Sequence, residues 1–136
     1  NFRMSEIHAA VGIEQLSHVA EWNQRRREIA ARYNSLLQDL EVITPIEREW
    51  ARHVYHMYVI RVKQRDKLAS YLTEEGVQTG IHYPVPLHRQ PCLKSGVQLP
   101  ITELCANEVL SLPMHPQLTD AEVDLVASSI DKFVRS

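Results

Sequence analysis

The sequence predicts a small two-layer α/β domain, with helices on one face of a sheet, behind a long helical region. Three observations carry that prediction. Apolar residues recur at helical spacing from Met4 to Leu40. β-Branched and aromatic residues concentrate between His53 and Val62. From there to the C-terminus, helical and extended stretches alternate within a short length of chain.

The helical region has two parts. Ile7, Ala10, Val11, Ile13, Leu16 and Val19 line one broad apolar face, with Ser5 placed to cap it. Trp22, Ile29, Tyr33, Leu36, Leu37 and Leu40 form a second stripe. The two are read either as one long helix bent near Ser17-His18 or as two helices in series. A single helix of roughly thirty-five residues would be about 50 Å long, so it would pack against something beyond its own small domain.

Glu41 to Pro45 reads as a short extended segment stopped by proline, followed by a charged turn at Glu47-Arg48-Glu49. His53 to Val62 is the strongest strand pattern. Alternation puts Val54, His56, Tyr58, Ile60 and Val62 on one face and Tyr55, Met57, Val59 and Arg61 on the other, which predicts a central strand buried on both sides. Arg65 to Glu75 is a short helix with Leu68, Ala69 and Leu72 inward and Gly76 at its C-terminal exit. Val77 to His82 returns as a strand. Pro100 opens the next helix, with Leu104, Cys105 and Val109 inward, and Leu110 to Leu112 is a brief strand ended by Pro113. Thr119-Asp120-Ala121-Glu122 is a capping box for a last amphipathic helix carrying Val123, Val126, Ala127, Ile130, Phe133 and Val134.

Composition narrows the function. The chain of 136 residues fits one domain with a real core, and 44% hydrophobic and 24% charged residues are ordinary for a globular protein. A net charge of −2 gives no footprint for nucleic acid or an anionic membrane. The one basic cluster, Arg25-Arg26-Arg27, sits in a helical pattern and reads as a solvated face. Cys92 and Cys105 have no metal or redox spacing, and the lack of a disulfide framework points to a reducing, cytoplasmic setting. No signal sequence, lipidation motif or membrane-length apolar run is present. The start at Asn1-Phe2-Arg3, directly before a strong helix, predicts that a further segment precedes it.

The candidate site is the proline loop Gly80 to Cys92, G-I-H-Y-P-V-P-L-H-R-Q-P-C. Each proline biases the residue before it toward extended backbone, so Tyr83, Val85 and Gln90 are stiffened and the whole loop is predicted to be extended. A stiff loop presents its histidines and tyrosine to a ligand at little entropic cost. A surface crossover whose prolines merely prevent helix is the alternative. Seven histidines raise the question of a metal, yet no HxH, HxxxH or HExxH spacing occurs and the loop holds no carboxylate. His53 and His56 fall on opposite strand faces, and His8 and His18 are helical. There is no G-x-S-x-G elbow, neither cysteine has an evident base, and the four glycines are too scattered to cradle a phosphate. Residue chemistry alone therefore gives an α/β domain with a ligand-facing loop and no self-contained catalytic set.

Several motifs together resemble a known family. They are N-F-R-M-S-E-I-H-A-A-V-G-I-E-Q-L, the R-x-x-x-A-x-x-Y register of Arg26 to Tyr33, H-V-Y-H-M-Y-V-I-R, R-D-x-L, I-H-Y-P-V-P-L-H-x-Q-P and L-S-L-P-M-H-P-x-L-T. In this order, and nearly end to end, they resemble the C-terminal part of the pyridoxal-phosphate-dependent sugar aminotransferases of the DegT/StrS type. The resemblance implies the small domain of a fold-type-I aminotransferase. Residues 1–40 would be an interdomain and dimer helical region, and 41–136 a small α/β domain with a mainly antiparallel sheet. It further implies a cytoplasmic homodimer that moves an amino group from glutamate or glutamine to a nucleotide-linked keto-sugar.

The cofactor, pyridoxal 5′-phosphate (PLP), would be held mainly by a large domain upstream of Asn1, which also carries the Schiff-base lysine. Lys63, Lys67, Lys94 and Lys132 do not read as that lysine, no acidic partner for a pyridine nitrogen is recognisable, and this stretch alone is expected to be inactive. The resemblance assigns Asn1 to the cofactor phosphate across the dimer. It assigns Arg3 to an anionic group at the shared site, with a structural ion pair as its alternative. His82, Tyr83 and His88 would bind the nucleotide-sugar, and Arg61 would be structural. Apolar Phe2, Ile7 and Val11 would be an interface left open in the isolated chain. Two other readings stand beside this one: a non-catalytic binding or dimerisation module with the same fold, and a metal-dependent enzyme using His82, His88 and Cys92.

Overall fold

The structure is a computed structural model that describes residues 3–93 and 96–135. Asn1, Phe2 and Lys94, which figure in the expectations above, lie outside the described residues. Helix α1 runs unbroken from Glu6 to Leu37, 32 residues, or about 48 Å. Its cap is Ser5, whose hydroxyl accepts from the His8 amide. No bend occurs at Ser17-His18. The Ser17 hydroxyl donates back to the Glu14 carbonyl at 2.6 Å and His18 stacks on Trp22, so both are absorbed into the helix surface. Burial divides this helix. Ile29, Ala30, Tyr33 and Leu37 are in the core, whereas Ile7, Ile13 and Leu16 are each at least 70% exposed. The first apolar stripe therefore lies on a solvent-facing projection.

The sheet is antiparallel and small. Strand β1 (Tyr58–Arg61) pairs with β2 (Val109–Leu112), Tyr58 opposite Leu112 and Ile60 opposite Leu110. Single bridges widen it: Ile43 pairs with Arg61 outside β1, and Gly80 with Ser111 outside β2. The extended segments predicted at 41–45 and 77–82 are thus one-residue lanes. The predicted strand over 53–62 shrinks to four residues because local bonds capture its first half. Tyr55 has a φ of +48° and donates its amide to His53 Nδ1, and Arg27 on α1 grips both Glu47 and the His53 carbonyl. β1 is central by pairing but buried on one face, with Tyr58 and Ile60 inside and Val59 and Arg61 half-buried, because helices cover one side.

Helix α2 (Arg65–Glu74) ends in a Schellman arrangement at Gly76, φ +80°, where the Gly76 amide donates to the Thr73 carbonyl and the Val77 amide to that of Leu72. Helix α3 (Pro100–Glu108) begins at its proline. Its inward residue is Ala106. Leu104, expected inside, is 45% exposed, and Cys105 and Val109 are half-buried, since α3 lies beside the proline loop and the end of β1 rather than in the core. Helix α4 (Asp120–Arg135) opens on the predicted capping box: the Thr119 amide donates to Glu122 and the Glu122 amide to the Thr119 hydroxyl.

The core sits where α1, α2 and α4 meet β1 and β2, around Tyr33, Tyr58, Ile60, Leu68, Leu72, Leu110 and Ile130. Tyr33 and Tyr58 pack with ring centroids 4.8 Å apart, and each hydroxyl is satisfied, Tyr58 on Asn34 and Tyr33 on the Pro113 carbonyl. Burial raises both phenol pKa values. Arg32 forks onto Asp124 at 2.7 and 2.6 Å, tying α1 to α4. Among the described residues no helix is long and apolar enough to cross a membrane.

Candidate functional site

The sheet edge delivers the proline loop. Gly80 pairs with Ser111 through both backbone bonds, at 3.0 and 2.7 Å, so the chain leaves β2's flank with His82 already placed. The His82 ring lies over Gly80: a Cβ built there would come within 2.6 Å of the ring's Cε1. Its Nδ1 is 2.9 Å from the hydroxyl of Ser111, a residue only 6% exposed. Tyr83 stands edge-on to His82, centroids 5.7 Å apart, and is 75% exposed. With Val85, Pro86 and Leu87, these rings form one wall of an open cleft of about 230 Å³. Thr102, Cys105 and Ala106 of α3 form the other.

The far end of the loop is built differently. Leu87–Arg89 is a turn of 3₁₀ helix, closed by the Arg89 amide on the Pro86 carbonyl and the Gln90 amide on that of Leu87, so the loop is not extended throughout. Pro86 and Gln90 keep extended backbone on either side. His88 turns inward, its side chain 9% exposed, with Nε2 2.9 Å from Glu103 Oε1 on α3. The same oxygen accepts from Arg89 Nη2 at 2.8 Å, Arg89 Nε at 3.2 Å and the Leu99 amide at 3.2 Å. Hydrogen bonds from His88, the Leu99 amide and Arg89 hold the Glu103 carboxyl down at about 2. An ionised carboxylate only accepts, so His88 Nε2 carries the proton.

His82 and Tyr83 therefore share the cleft, while His88 braces the loop from behind. Arg3 is exposed ahead of α1, and Asn1 is outside the described residues. Arg61 forks onto Glu108 at 3.1 and 2.7 Å, a structural pair. Among the described residues no three His, Cys, Asp or Glu side chains group as metal ligands. A larger cleft, about 740 Å³, lies elsewhere between Ile43, Arg61, Lys63, Lys67 and Phe133. Its Arg61 and Glu108 are spent on each other, and it presents no imidazole or phenol. The ligand-facing ring chemistry is in the proline cleft, which we take as the site.

Two residues of this site escaped the sequence reading. Ser111 left a trace, as a polar residue inside the apolar run Leu110-Ser111-Leu112. Glu103 left none, because its role depends on how α3 docks beside the loop.

Comparison with known proteins places this geometry. The DegT/DnrJ/EryC1/StrS aminotransferase family model matches residues 1–131. A pleiotropic regulatory protein of Geobacillus stearothermophilus is 40% identical over 99% of this chain and 38% of its own length. A dTDP-3-amino-3,6-dideoxy-alpha-D-galactopyranose transaminase of Aneurinibacillus thermoaerophilus is 38% identical over 98% of this chain and 37% of its own. Among solved structures, DesV of S. venezuelae in complex with a ketimine intermediate superposes with a TM-score of 0.95 at 34% identity, covering 98% of this chain and 38% of that one. NtdA of Bacillus subtilis with bound cofactor PMP gives 0.89 at 31% identity, covering 98% and 33%. The chain thus spans less than two-fifths of the length of these relatives and corresponds to their C-terminal part. Matched along nearly its whole length in sequence and in fold, the chain belongs to the DegT/DnrJ/EryC1/StrS aminotransferase family.

Proposed function

We propose that this chain is the small-domain, sugar-side part of a PLP-dependent aminotransferase. That enzyme transfers an amino group from glutamate or glutamine to a nucleotide-linked keto-sugar, in amino-sugar or polysaccharide biosynthesis. One observation carries the reading: the chain superposes end to end on the C-terminal part of an aminotransferase caught with a ketimine. The relative named as a dTDP-sugar transaminase supports the substrate class, and the neighbour with bound PMP supports the cofactor.

Lys63, Lys67 and Lys132 are all exposed, whereas a lysine tuned for imine formation is desolvated, and no carboxylate lines the proline cleft. PLP would supply electron-sink chemistry from a preceding large domain. Here His82 and Tyr83 bind and orient the sugar nucleotide, the tyrosine hydroxyl and the free imidazole nitrogen serving as hydrogen-bond partners for sugar or phosphate oxygens. Asn1 would hold the cofactor phosphate across a homodimer, Arg3 would pair with an anionic group of the same shared site, and His88 supports the loop from behind. Residues 1–40 form the connecting and dimer region, and 41–136 the small domain.

The regulatory name of one relative favours a second reading, a binding module without transamination. One assay separates the two. The polypeptide that continues upstream of Asn1, loaded with PLP, should form an amino-sugar nucleotide from glutamate and a nucleotide-linked keto-sugar, and residues 1–136 alone should form none. Absence of product from the longer polypeptide would favour the binding module, and product from residues 1–136 alone would overturn the division between domains.

A further inference from the structure

We infer that Glu103 is a positioning residue, one that locks the proline loop against α3 so that His82 and Tyr83 meet the ligand in a fixed geometry. The inference rests on the reading of the proline cleft as the sugar-side site. Apolar burial cannot hold this loop, because Tyr83, Val85 and Leu87 are all exposed, two of them by three-quarters. Its internal bonds, the two of the 3₁₀ turn, the Leu93 amide on the Gln90 carbonyl and Gln90 Nε2 on the Val85 carbonyl, shape the loop without attaching it to anything. Among the described residues, the side-chain bonds that tie segment 83–93 to the rest of the chain end on Glu103, through His88 and Arg89.

The same oxygen also takes the Leu99 amide, at the entrance to α3. One atom therefore joins the far end of the loop to the start of the helix that forms the facing wall of the cleft. Glu103 is flanked on α3 by Thr102 and Cys105, which line that wall. Its hold on His88 and Arg89 consequently sets the separation of the two walls. Charge-assisted bonds are the strong ones, and here three of the four donors belong to basic side chains. Glu103 does not face the cleft, so it acts through the loop rather than on substrate.

The test uses the cofactor-loaded polypeptide carrying this chain, with Glu103→Gln and Glu103→Ala. Glutamine keeps the shape and an acceptor oxygen but loses the charge. Amide hydrogen exchange is read at Arg89, Gln90 and Leu99, with Arg61 and Ser111 in the sheet as controls. Exchange should quicken at the first three by roughly tenfold in the alanine variant and less in glutamine, with the controls unchanged. The KM for the nucleotide-linked keto-sugar should rise about tenfold in alanine, partly rescued by glutamine, while the rate of the half-reaction with glutamate stays put. Exchange that rises equally in the sheet, or not at all, overturns the inference, as does a loosened loop with an unchanged sugar KM. Should the alanine variant fail to fold, the glutamine variant decides by the same readings. If the unmodified protein aminates no nucleotide-linked sugar, the proposed function falls, and the exchange result alone decides whether Glu103 fixes the loop.

Discussion

His82 is held by a hydroxyl on one side and by the lack of a side chain on the other. Ser111 bonds its Nδ1, and Gly80 leaves the space its ring fills. Gly80→Ala would put a methyl 2.6 Å from the ring, and the imidazole would have to swing away. Ser111→Ala keeps the strand but removes a bond worth about 1 kcal/mol. Each variant should raise the KM for the sugar nucleotide roughly five- to tenfold with little change in unfolding midpoint for Ser111→Ala. Unchanged KM values in both would mean that His82 does not need this seat.

The Glu103 brace should also show in acid. Its carboxyl is held at about 2 in the folded protein against an ordinary value of 4.5, through His88, the Leu99 amide and Arg89. A depressed carboxyl pKa stabilises the charged, bonded form, so the contribution is complete above the ordinary value and is lost as pH falls through about 2. Amide exchange at Arg89 and Gln90, normalised to the sheet amides, should rise between about pH 4.5 and 2, and added salt should shift the rise to higher pH. A flat ratio across that window would contradict the assignment.

At the scale of elements, the helices were more legible than the strands. Ser5, Gly76, Pro100 and Thr119 each stand where a cap or start signal predicts, and each does that task in the structure. The strands are shorter than their pattern predicts because strand propensity says nothing about distant competitors. Arg27, twenty-six residues before His53, captures the segment that pattern alone would make a strand. The first half of α1 shows a different limit. Its apolar stripe is plain in the sequence, and the structure leaves it exposed at Ile7, Ile13 and Leu16. An apolar face this continuous promotes association. Residues 1–136 alone should therefore show a sedimentation coefficient that climbs with concentration, and Leu16→Glu with Ile7→Glu should lower it to that of a monomer. A monomer at all concentrations before any substitution would contradict this.

At the scale of the molecule, the family was legible because its motifs run through the whole chain, from the capped start of α1 to Leu110–Thr119. The cleft was legible in part. Proline spacing marked the loop, and His82 and Tyr83 line it as a pair. The inward turn of His88 follows from α3's approach, which no local pattern encodes. The described lysines Lys63, Lys67 and Lys132 are exposed and the proline cleft offers rings rather than a carboxylate, which fits the sugar side of the proposed reaction.

The most direct test of that claim splits the reaction in two. In the cofactor-loaded polypeptide carrying this chain, the half-reaction with glutamate and the half-reaction with the nucleotide-linked keto-sugar are timed separately for His82→Ala and Tyr83→Phe. In both variants the sugar KM should rise about tenfold, with the glutamate half-reaction within twofold of the unmodified protein. Equal losses in both half-reactions, or no loss in either, would contradict it.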